Sequence, residues 1–221
     1  THEKKYDFIV FNGDNTKKSK PQHLIGFLNT VKSIDAPYYL VMGNNDAHKI
    51  SGISKPEYLK IVSKYNKNQK NKTNSYYFYP SPGIIAIVLD GASTGMPTNH
   101  GVFNKKTLQW LDKVLTENKR KQAIVFQHVP YYEPVDIPEY EILEKAEYAA
   151  VLRRHKNVAL IVSGHYGKDF EIKDDYGVTH ISVPALSKEP YYYTEINIDY
   201  DKFPFCKAKN LNIQKRLKPA I

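Results

Sequence analysis

The sequence predicts an α/β fold with additional antiparallel strands, and three observations support this. Short apolar runs alternate with helical apolar spacing over most of the 221 residues, as in a sheet covered by helices. The last part instead alternates short β-type runs, which is typical of hairpins. The chain is 41% hydrophobic and 25% charged, close to ordinary globular usage. It has no internal repeat and no clear domain boundary, so we expect one folded unit.

The first half of the chain predicts two buried strands, each followed by a helix. The apolar runs at 6–12 and 37–42 both end in a glycine and polar residues, as buried strands do at a sheet edge. Apolar positions at helical spacing predict a helix over 20–33. A proline in the first turn indicates another helix that begins at 55. The stretch 66–74 is polar, basic and aperiodic, and we expect an exposed loop there.

The second half predicts four strands and two helices, and then a set of hairpin strands. Strands at 76–79 and 83–90 are separated by a Ser-Pro-Gly turn. The amphipathic run 104–116 begins at Asn104, a good N-cap residue, and predicts a helix. The remaining expected elements are strands at 122–127 and 158–163, a helix at 138–155, and short strands at 170–173, 178–183 and 191–198.

Charge and cysteine content narrow the functional classes. The formal net charge of +9 favours an anionic partner such as a phosphate, a nucleic acid or an anionic surface. Cys206 is the single cysteine, which excludes an internal disulfide framework and a cysteine-based zinc site. No run of 18 apolar residues occurs, so we expect no membrane span. Thr1 is followed almost directly by a strand; we expect that the natural beginning lies upstream, and the compartment stays open.

Four predicted buried strands end in short polar clusters. The carboxyl ends of parallel strands meet at one edge of a sheet, where ligand sites form. A combination of Asp, Asn and His side chains suits a divalent transition metal such as Mn, Fe, Zn or Ni. The sequence therefore predicts a metal site built from the following clusters: Gly13-Asp14, Gly43-Asn44-Asn45-Asp46, Gln127-His128 and Gly164-His165.

These clusters resemble the motifs of the calcineurin-like metallophosphoesterases. The matching segments are Phe11-Asn12-Gly13-Asp14, Gly43-Asn44-Asn45-Asp46, Phe126-Gln127-His128-Val129-Pro130 and Ser163-Gly164-His165-Tyr166. Leu89-Asp90, Gly101-Val102-Phe103 and Leu108-Gln109-Trp110-Leu111 are similar to the family's middle segment, and 178–186 is similar to its closing hairpin. The resemblance covers about residues 5–200. The segment from His128 to Tyr132 is closest to the cyclic-nucleotide phosphodiesterase and purple-acid-phosphatase branch.

The resemblance implies two mixed β-sheets packed as a sandwich and flanked by helices, in α/β/β/α order. It implies two metal ions bridged by a carboxylate, and a metal-activated hydroxide that attacks phosphorus in line. Carried over by position, Asp14 is the bridging carboxylate, and Asn44, His128 and His165 complete the second metal's ligands. Asn45 and Asp46 occupy the catalytic positions that follow Asn44 in the motif.

Three departures from the family pattern bear on activity. The family's first motif, Asp-x-His, lies on an earlier strand, and His2 is expected to be the tail of a helix instead of that motif. Asn45 stands where the family has the histidine that protonates the leaving group, and Gly167 stands where a further metal histidine is expected. The site of the first metal is therefore incomplete apart from the bridging Asp14, whereas the second metal has its four ligands. The open explanations are natural degeneracy, a deliberate substitution that traps substrate, or replacement by His48 or His100.

Aromatic residues after the metal histidine suggest a substrate contact. Tyr131 and Tyr132 follow His128 directly and are candidates for a wall that stacks on a base or sugar, with His100 as a further substrate-binding candidate. The alternative interpretation is structural: the paired tyrosines occupy half-buried strand positions and keep their hydroxyl groups hydrated.

The leading hypothesis is a metal-dependent phosphoesterase that hydrolyses a phosphate monoester or diester, with a phosphate-ester small molecule or nucleotide as partner. The alternative is a degenerate pseudoenzyme that binds at least one metal and a phosphorylated ligand or partner protein. A nucleic-acid-binding module is a third reading, disfavoured because the basic residues are scattered. We expect residues 1–221 to form a single metallophosphoesterase-like domain that lacks its first strand and motif, with 200–221 as a C-terminal extension. The substrate, metal identity and oligomeric state are left open.

Overall fold

The computed structural model describes residues 5–47, 52–69, 71–93, 98–189, 191–200 and 211–220. Within these ranges the helices are α1 (Pro21–Val31), α2 (Lys55–Tyr65), α3 (Lys105–Glu117) and α4 (Lys145–Arg154). The strands are β1 (Ile9–Phe11), β2 (Tyr38–Leu40), β3 (Tyr76–Ser81), β4 (Ile84–Leu89), β5 (Gln122–Gln127), β6 (Val158–Ser163), β7 (Phe170–Lys173), β8 (Thr179–Ser182), β9 (Tyr192–Tyr200) and β10 (Leu211–Pro219). None of the described helices has the length and apolarity needed to cross a membrane.

A six-stranded mixed sheet forms the centre of the fold, in the order β3-β4-β5-β6-β8-β7. The four inner strands are parallel, and β3 and β7 pair antiparallel at the two edges. All six residues of β4 are buried, as expected for a parallel strand covered on both faces. Because these inner strands have no face in contact with solvent, they are visible in the sequence as continuous apolar runs.

One face of this sheet is covered by α3 and α4. Helix α3 directs Leu108, Leu111 and Leu115 towards the sheet, and Ile87 and Val125 lie on the facing side of the same core cluster. The Asn104 side chain accepts a hydrogen bond from the Thr107 N–H (3.1 Å), so the predicted N-cap is present.

The opposite face packs against a second layer of strands. Strands β1 and β2 pair in parallel, while β9 and β10 form an antiparallel hairpin. Side chains from both pairs share one core cluster with the large sheet, including Val10, Tyr39 and Ile196. Helices α1 and α2 then pack against the outer side of β2. The predicted sandwich flanked by helices is confirmed; in the described residues its second layer consists of these two strand pairs.

The predicted helix over 138–155 is wrong in its first half. Residues Pro138–Tyr140 form a 3₁₀ turn, and the α-helix begins only at Lys145. The intervening backbone instead pairs with another loop: the Gly101 N–H donates to the Glu141 carbonyl (3.0 Å), and the Leu143 N–H donates to the Gly101 carbonyl (2.9 Å). These bonds replace the helical ones that the sequence pattern suggests.

Candidate metal centre

Four side chains predicted as metal ligands converge on one point. The Nε2 atom of His128 lies 3.4 Å from Asp14 Oδ1, 3.2 Å from Asn44 Oδ1 and 3.1 Å from His165 Nδ1. One ligand atom from each of Asp14, His128 and His165 lies within 4.8 Å of the others. The four side chains therefore lie together, and their role as metal ligands stays a prediction.

The topology explains the convergence. Asp14 and Asn44 follow β1 and β2, which belong to the smaller layer of strands. His128 and His165 follow β5 and β6 of the large sheet. All four strands are parallel within their layers, so their carboxyl ends lie at the same end of the sandwich. The candidate centre thus lies between the two layers, and each layer contributes two ligands.

The backbone is strained at two of the four ligands. Asp14 and His165 have φ angles of 53° and 65°, in the left-handed region that non-glycine residues seldom adopt. The glycines beside them allow the close approach of the loops. A Cβ on Gly13 would lie 2.3 Å from His128 Nδ1, and one on Gly43 would lie 2.2 Å from the Asp14 nitrogen. Larger residues at these two positions would push the ligand loops apart.

The tautomer of His128 suits a metal ligand. Its Nδ1 lies 2.7 Å from the Asn12 carbonyl oxygen, and because a carbonyl can only accept, Nδ1 carries the hydrogen. The lone pair of Nε2 therefore faces the other ligands. Burial opposes protonation of His128, but the hydrogen bond and charge of Asp14 outweigh it and raise the pKa of this imidazole.

The charge states of the other ligands also fit. Burial alone would raise the pKa of Asp14, yet the hydrogen bonds from His128 and Asn45 lower it to about 2. Burial, together with the neighbouring His128, lowers the pKa of His165 to about 4. At neutral pH Asp14 is an anion and His165 is neutral, the forms in which both residues bind metals. One carboxylate, one amide and two imidazoles fit a divalent transition ion.

Asn45 contacts the candidate ligand Asp14, whereas Asp46 is buried behind the two ligand loops. The Asn45 backbone N–H donates to Asp14 Oδ1 (2.9 Å), and its side-chain Nδ2 donates to Asp14 Oδ2 (2.7 Å). Asp46 is 1% exposed, and its carboxylate accepts hydrogen bonds from Gly43, Asn15 and Thr16. Burial raises the pKa of Asp46 to about 6 against these bonds. Asp46 thus joins the two loops that present Asp14 and Asn44.

The three predicted substrate-binding residues contact His180 or the backbone of Glu141. The rings of Tyr131 and Tyr132 lie 5.6 Å and 4.7 Å from His180, beside helix α4. The Nδ1 atom of His100 lies 3.3 Å from the Glu141 carbonyl oxygen. Among the described ring contacts, two tyrosines pack against the candidate ligand His165: its sequence neighbour Tyr166, and Tyr140, whose ring centroid lies 4.4 Å from that of His165. A substrate role for Tyr131, Tyr132 and His100 stays a prediction.

Sequence analysis missed Tyr140 and also Asn99, which contacts Asn44. Tyr140 was hidden inside the predicted helix, and Asn99 belongs to no motif; no signal in a single sequence marks it. His2 and His48 lie outside the described residues. Gly167 has a φ of 65°, and a Cβ there would lie 3.0 Å from the Ala185 Cβ, so a side chain at this position would be crowded.

Comparison with known proteins gives the family. Residues 1–168 match the family model described as calcineurin-like phosphoesterase. The chain belongs to the calcineurin-like phosphoesterases. A crystal structure of a dimetal phosphatase from Danio rerio superimposes with a TM-score of 0.69 at 18% identity, covering 87% of this chain and 77% of that one, which supports the fold. The family and its named relatives are hydrolases.

Two curated relatives show how broad the family is. A probable glycerophosphodiester phosphodiesterase from Arcobacter nitrofigilis is 28% identical over 73% of this chain and 56% of its own length. A manganese-dependent ADP-ribose/CDP-alcohol diphosphatase from Danio rerio is 29% identical over 41% of this chain and 29% of its own length. The aligned part therefore spans about half, or less, of the length of these relatives.

Proposed function

We propose that this chain is a metal-dependent phosphoesterase that hydrolyses a phosphate monoester or diester. The observation that carries the proposal is the convergence of Asp14, Asn44, His128 and His165, with three ligand atoms within 3.4 Å of His128 Nε2. Family membership supports the reaction class. A divalent ion in this centre would supply Lewis acidity towards phosphoryl oxygens and lower the pKa of a bound water.

The protein's own residues would prepare the centre for one ion. Asp14 supplies the negative charge, and the Asn12 carbonyl fixes the His128 tautomer. The Asn45 side-chain amide donates a hydrogen bond to Oδ2 of Asp14, so this carboxylate oxygen already has a partner. Gly167 offers no side-chain ligand. We therefore expect this chain to bind one ion tightly and a second one poorly.

The substrate class that we propose is a phosphodiester or nucleotide-like phosphate ester. The relatives named for a glycerophosphodiester and for ADP-ribose and CDP-alcohols support it. The Tyr140 ring beside His165 provides an aromatic surface next to the centre. The formal net charge of +9 favours the approach of an anionic substrate.

A second candidate is a pseudoenzyme that keeps the metal and the phosphorylated ligand without turnover. The position of Asn45 favours it, because an amide donates a hydrogen bond to Asp14 but cannot protonate a leaving group.

Metal content and turnover of a generic substrate separate these candidates. The purified chain is dialysed with Mn²⁺ and then against metal-free buffer, analysed for bound metal, and assayed with p-nitrophenyl phosphate and its bis-ester. Retention of one ion with turnover that Asp14→Asn abolishes supports the esterase; one ion without turnover supports the pseudoenzyme. The absence of bound metal contradicts both. His23→Asn, on the exposed surface of α1, serves as the matched control.

A further inference from the structure

The orientation of the Asn44 side chain depends on a residue outside the metal motifs. An asparagine amide has an acceptor oxygen at one end and a donor NH₂ at the other, and only the oxygen can bind a cation. The Asn44 Nδ2 atom donates to the Oδ1 atom of Asn99 at 3.2 Å. This bond directs the Asn44 Oδ1 atom towards His128 Nε2, also at 3.2 Å. Reversing the amide would place two N–H groups in front of the ion.

Asn99 lies in a loop that is held from both sides. The His100 N–H donates to Thr98 Oγ1 (3.1 Å), which tightens the loop around Asn99. Gly101 exchanges two backbone hydrogen bonds with the segment 141–143, at 3.0 and 2.9 Å. The Asn99 side chain is itself exposed, so it is not needed to fill the core. Its acceptor is therefore presented by a fixed backbone.

We propose that Asn99 is a positioning residue for the candidate metal ligand Asn44. Its side-chain oxygen accepts a hydrogen bond from the Asn44 NH₂ group and so keeps the Asn44 Oδ1 atom turned towards His128 Nε2 and the candidate centre. This inference rests on the metal centre of the proposed function but not on turnover.

Metal affinity tests whether the Asn99 side chain positions Asn44. Mn²⁺ binding is measured by titration calorimetry for the wild type, Asn99→Ala, Asn99→Asp and Asn29→Ala. Loss of such an outer partner typically weakens binding about 10–100-fold, which is the rise in Kd expected for Asn99→Ala. Asn99→Asp keeps an acceptor for Asn44 and should bind at least as tightly as wild type. Asn29 is exposed on α1, and its variant should be unchanged.

The outcomes distinguish this inference from the proposed function. Equal affinity of wild type and Asn99→Ala, or an equal loss in Asn99→Ala and Asn99→Asp, would overturn the side-chain role. A wild type that binds no metal would instead overturn the proposed function. Unfolding curves recorded with chelator show whether each variant is folded; because Asn99 is exposed, both should match wild type.

Solvent exchange of the Asn44 side-chain NH₂ group tests the orientation directly. In the Zn²⁺-loaded protein these hydrogens should exchange slowly in wild type and faster in Asn99→Ala, because the acceptor on Asn99 is removed. Equal exchange rates in the two proteins would contradict the proposal.

Discussion

Asn45 donates hydrogen bonds to both oxygens of Asp14, through its backbone N–H and its side-chain amide. This arrangement holds the carboxylate in one orientation and uses the oxygen on the side away from His128. The amide has no proton to give to a departing alkoxide. Under the proposed function, we therefore expect Asn45 to affect both the number of ions that the centre binds and the range of leaving groups that it accepts.

The first prediction concerns the leaving group. Asn45→His should restore a proton donor, and general acid catalysis typically contributes about 10²–10⁴-fold. Alkyl phosphate esters should gain far more than aryl esters, because aryl leaving groups depart readily without a proton. Turnover of both substrate types by wild type and variant measures the difference, with Asn29→His as the control for the added imidazole. A uniform gain, or none, would show that the proton comes from another group.

The second prediction compares two glycines. A Cβ on Gly43 would lie 2.2 Å from the Asp14 nitrogen, whereas a Cβ on Gly26 of α1 would meet nothing within 4 Å. Gly43→Ala should lower the free energy of unfolding by at least about 1–3 kcal/mol through overpacking. Gly26→Ala should raise it by about 0.5–1 kcal/mol, because alanine is the better helix former. Urea unfolding of both variants decides; changes of the same sign would contradict the prediction.

At the level of elements, much of the fold and of the metal centre could be predicted from the sequence. The strands before His128 and His165 are buried on both faces, and the strand before Asp14 is half-buried throughout. Such runs are visible in the sequence as continuous apolar segments. The late start of helix α4 was not predictable, because the backbone at 141–143 pairs with Gly101, which lies distant in the sequence. Local patterns carry no information on such partners.

The polar loop 66–74 also has partners that local sequence patterns do not reveal. Sequence analysis predicts an exposed loop there, yet Asn66 and Gln69 are 0% and 2% exposed. Asn66 donates to the Tyr38 carbonyl (2.9 Å), and Gln69 accepts from the Leu40 N–H (3.0 Å). Their amides satisfy backbone groups along β2. Polar residues that replace a missing strand partner look, in the sequence, like residues in contact with water.

The third prediction concerns the antiparallel pair β7–β8. His180 on β8 is 4% exposed, and its Nε2 donates to Asp174 Oδ2 at 3.0 Å. Burial lowers the pKa of His180 despite Asp174, so the folded state takes up this proton less readily than the unfolded state, whose pKa is about 6.5. The contribution of neutral His180 to the free energy of unfolding is therefore fully present above about pH 6.5, and it decreases as the pH is lowered.

His180→Gln keeps a donor for Asp174 and removes the titration. Unfolding free energies of wild type and variant, measured from about pH 7.5 to pH 5 with chelator present, should differ increasingly in favour of the variant as the pH falls. Titrations elsewhere in the chain are common to both proteins and cancel. The exposed His23→Gln on α1 provides the control. Parallel pH profiles for wild type and His180→Gln would contradict the prediction.

At the scale of the whole molecule, the metal centre joins the two layers of strands. Asp14 and Asn44 come from the smaller layer, and His128 and His165 come from the large sheet. An ion bound to all four residues would oppose separation of the layers. Since the unfolded chain does not assemble these ligands, binding should stabilise the folded state.

The fourth prediction is a rise in thermal stability with metal. At an ion concentration of about 100 times Kd the stabilisation should be about 2.7 kcal/mol. For a domain of this size, that corresponds to a rise in Tm of about 5–10 °C. Calorimetric scans with Mn²⁺ and with chelator measure it. Asn44→Ala should show a smaller rise and Asn29→Ala the full one; an equal rise in both would mean that the ion binds elsewhere.

The left-handed backbone of Asp14 and His165 has a kinetic consequence for metal uptake. Both residues are held in this conformation by neighbouring loops and by their contacts with Asn45 and His128. The ligands therefore need only side-chain adjustments when an ion arrives, and these occur within nanoseconds. Uptake should then be limited by encounter and by the exchange of water around the ion. Its rate should rise in proportion to ion concentration, without a plateau from a slow rearrangement of the chain.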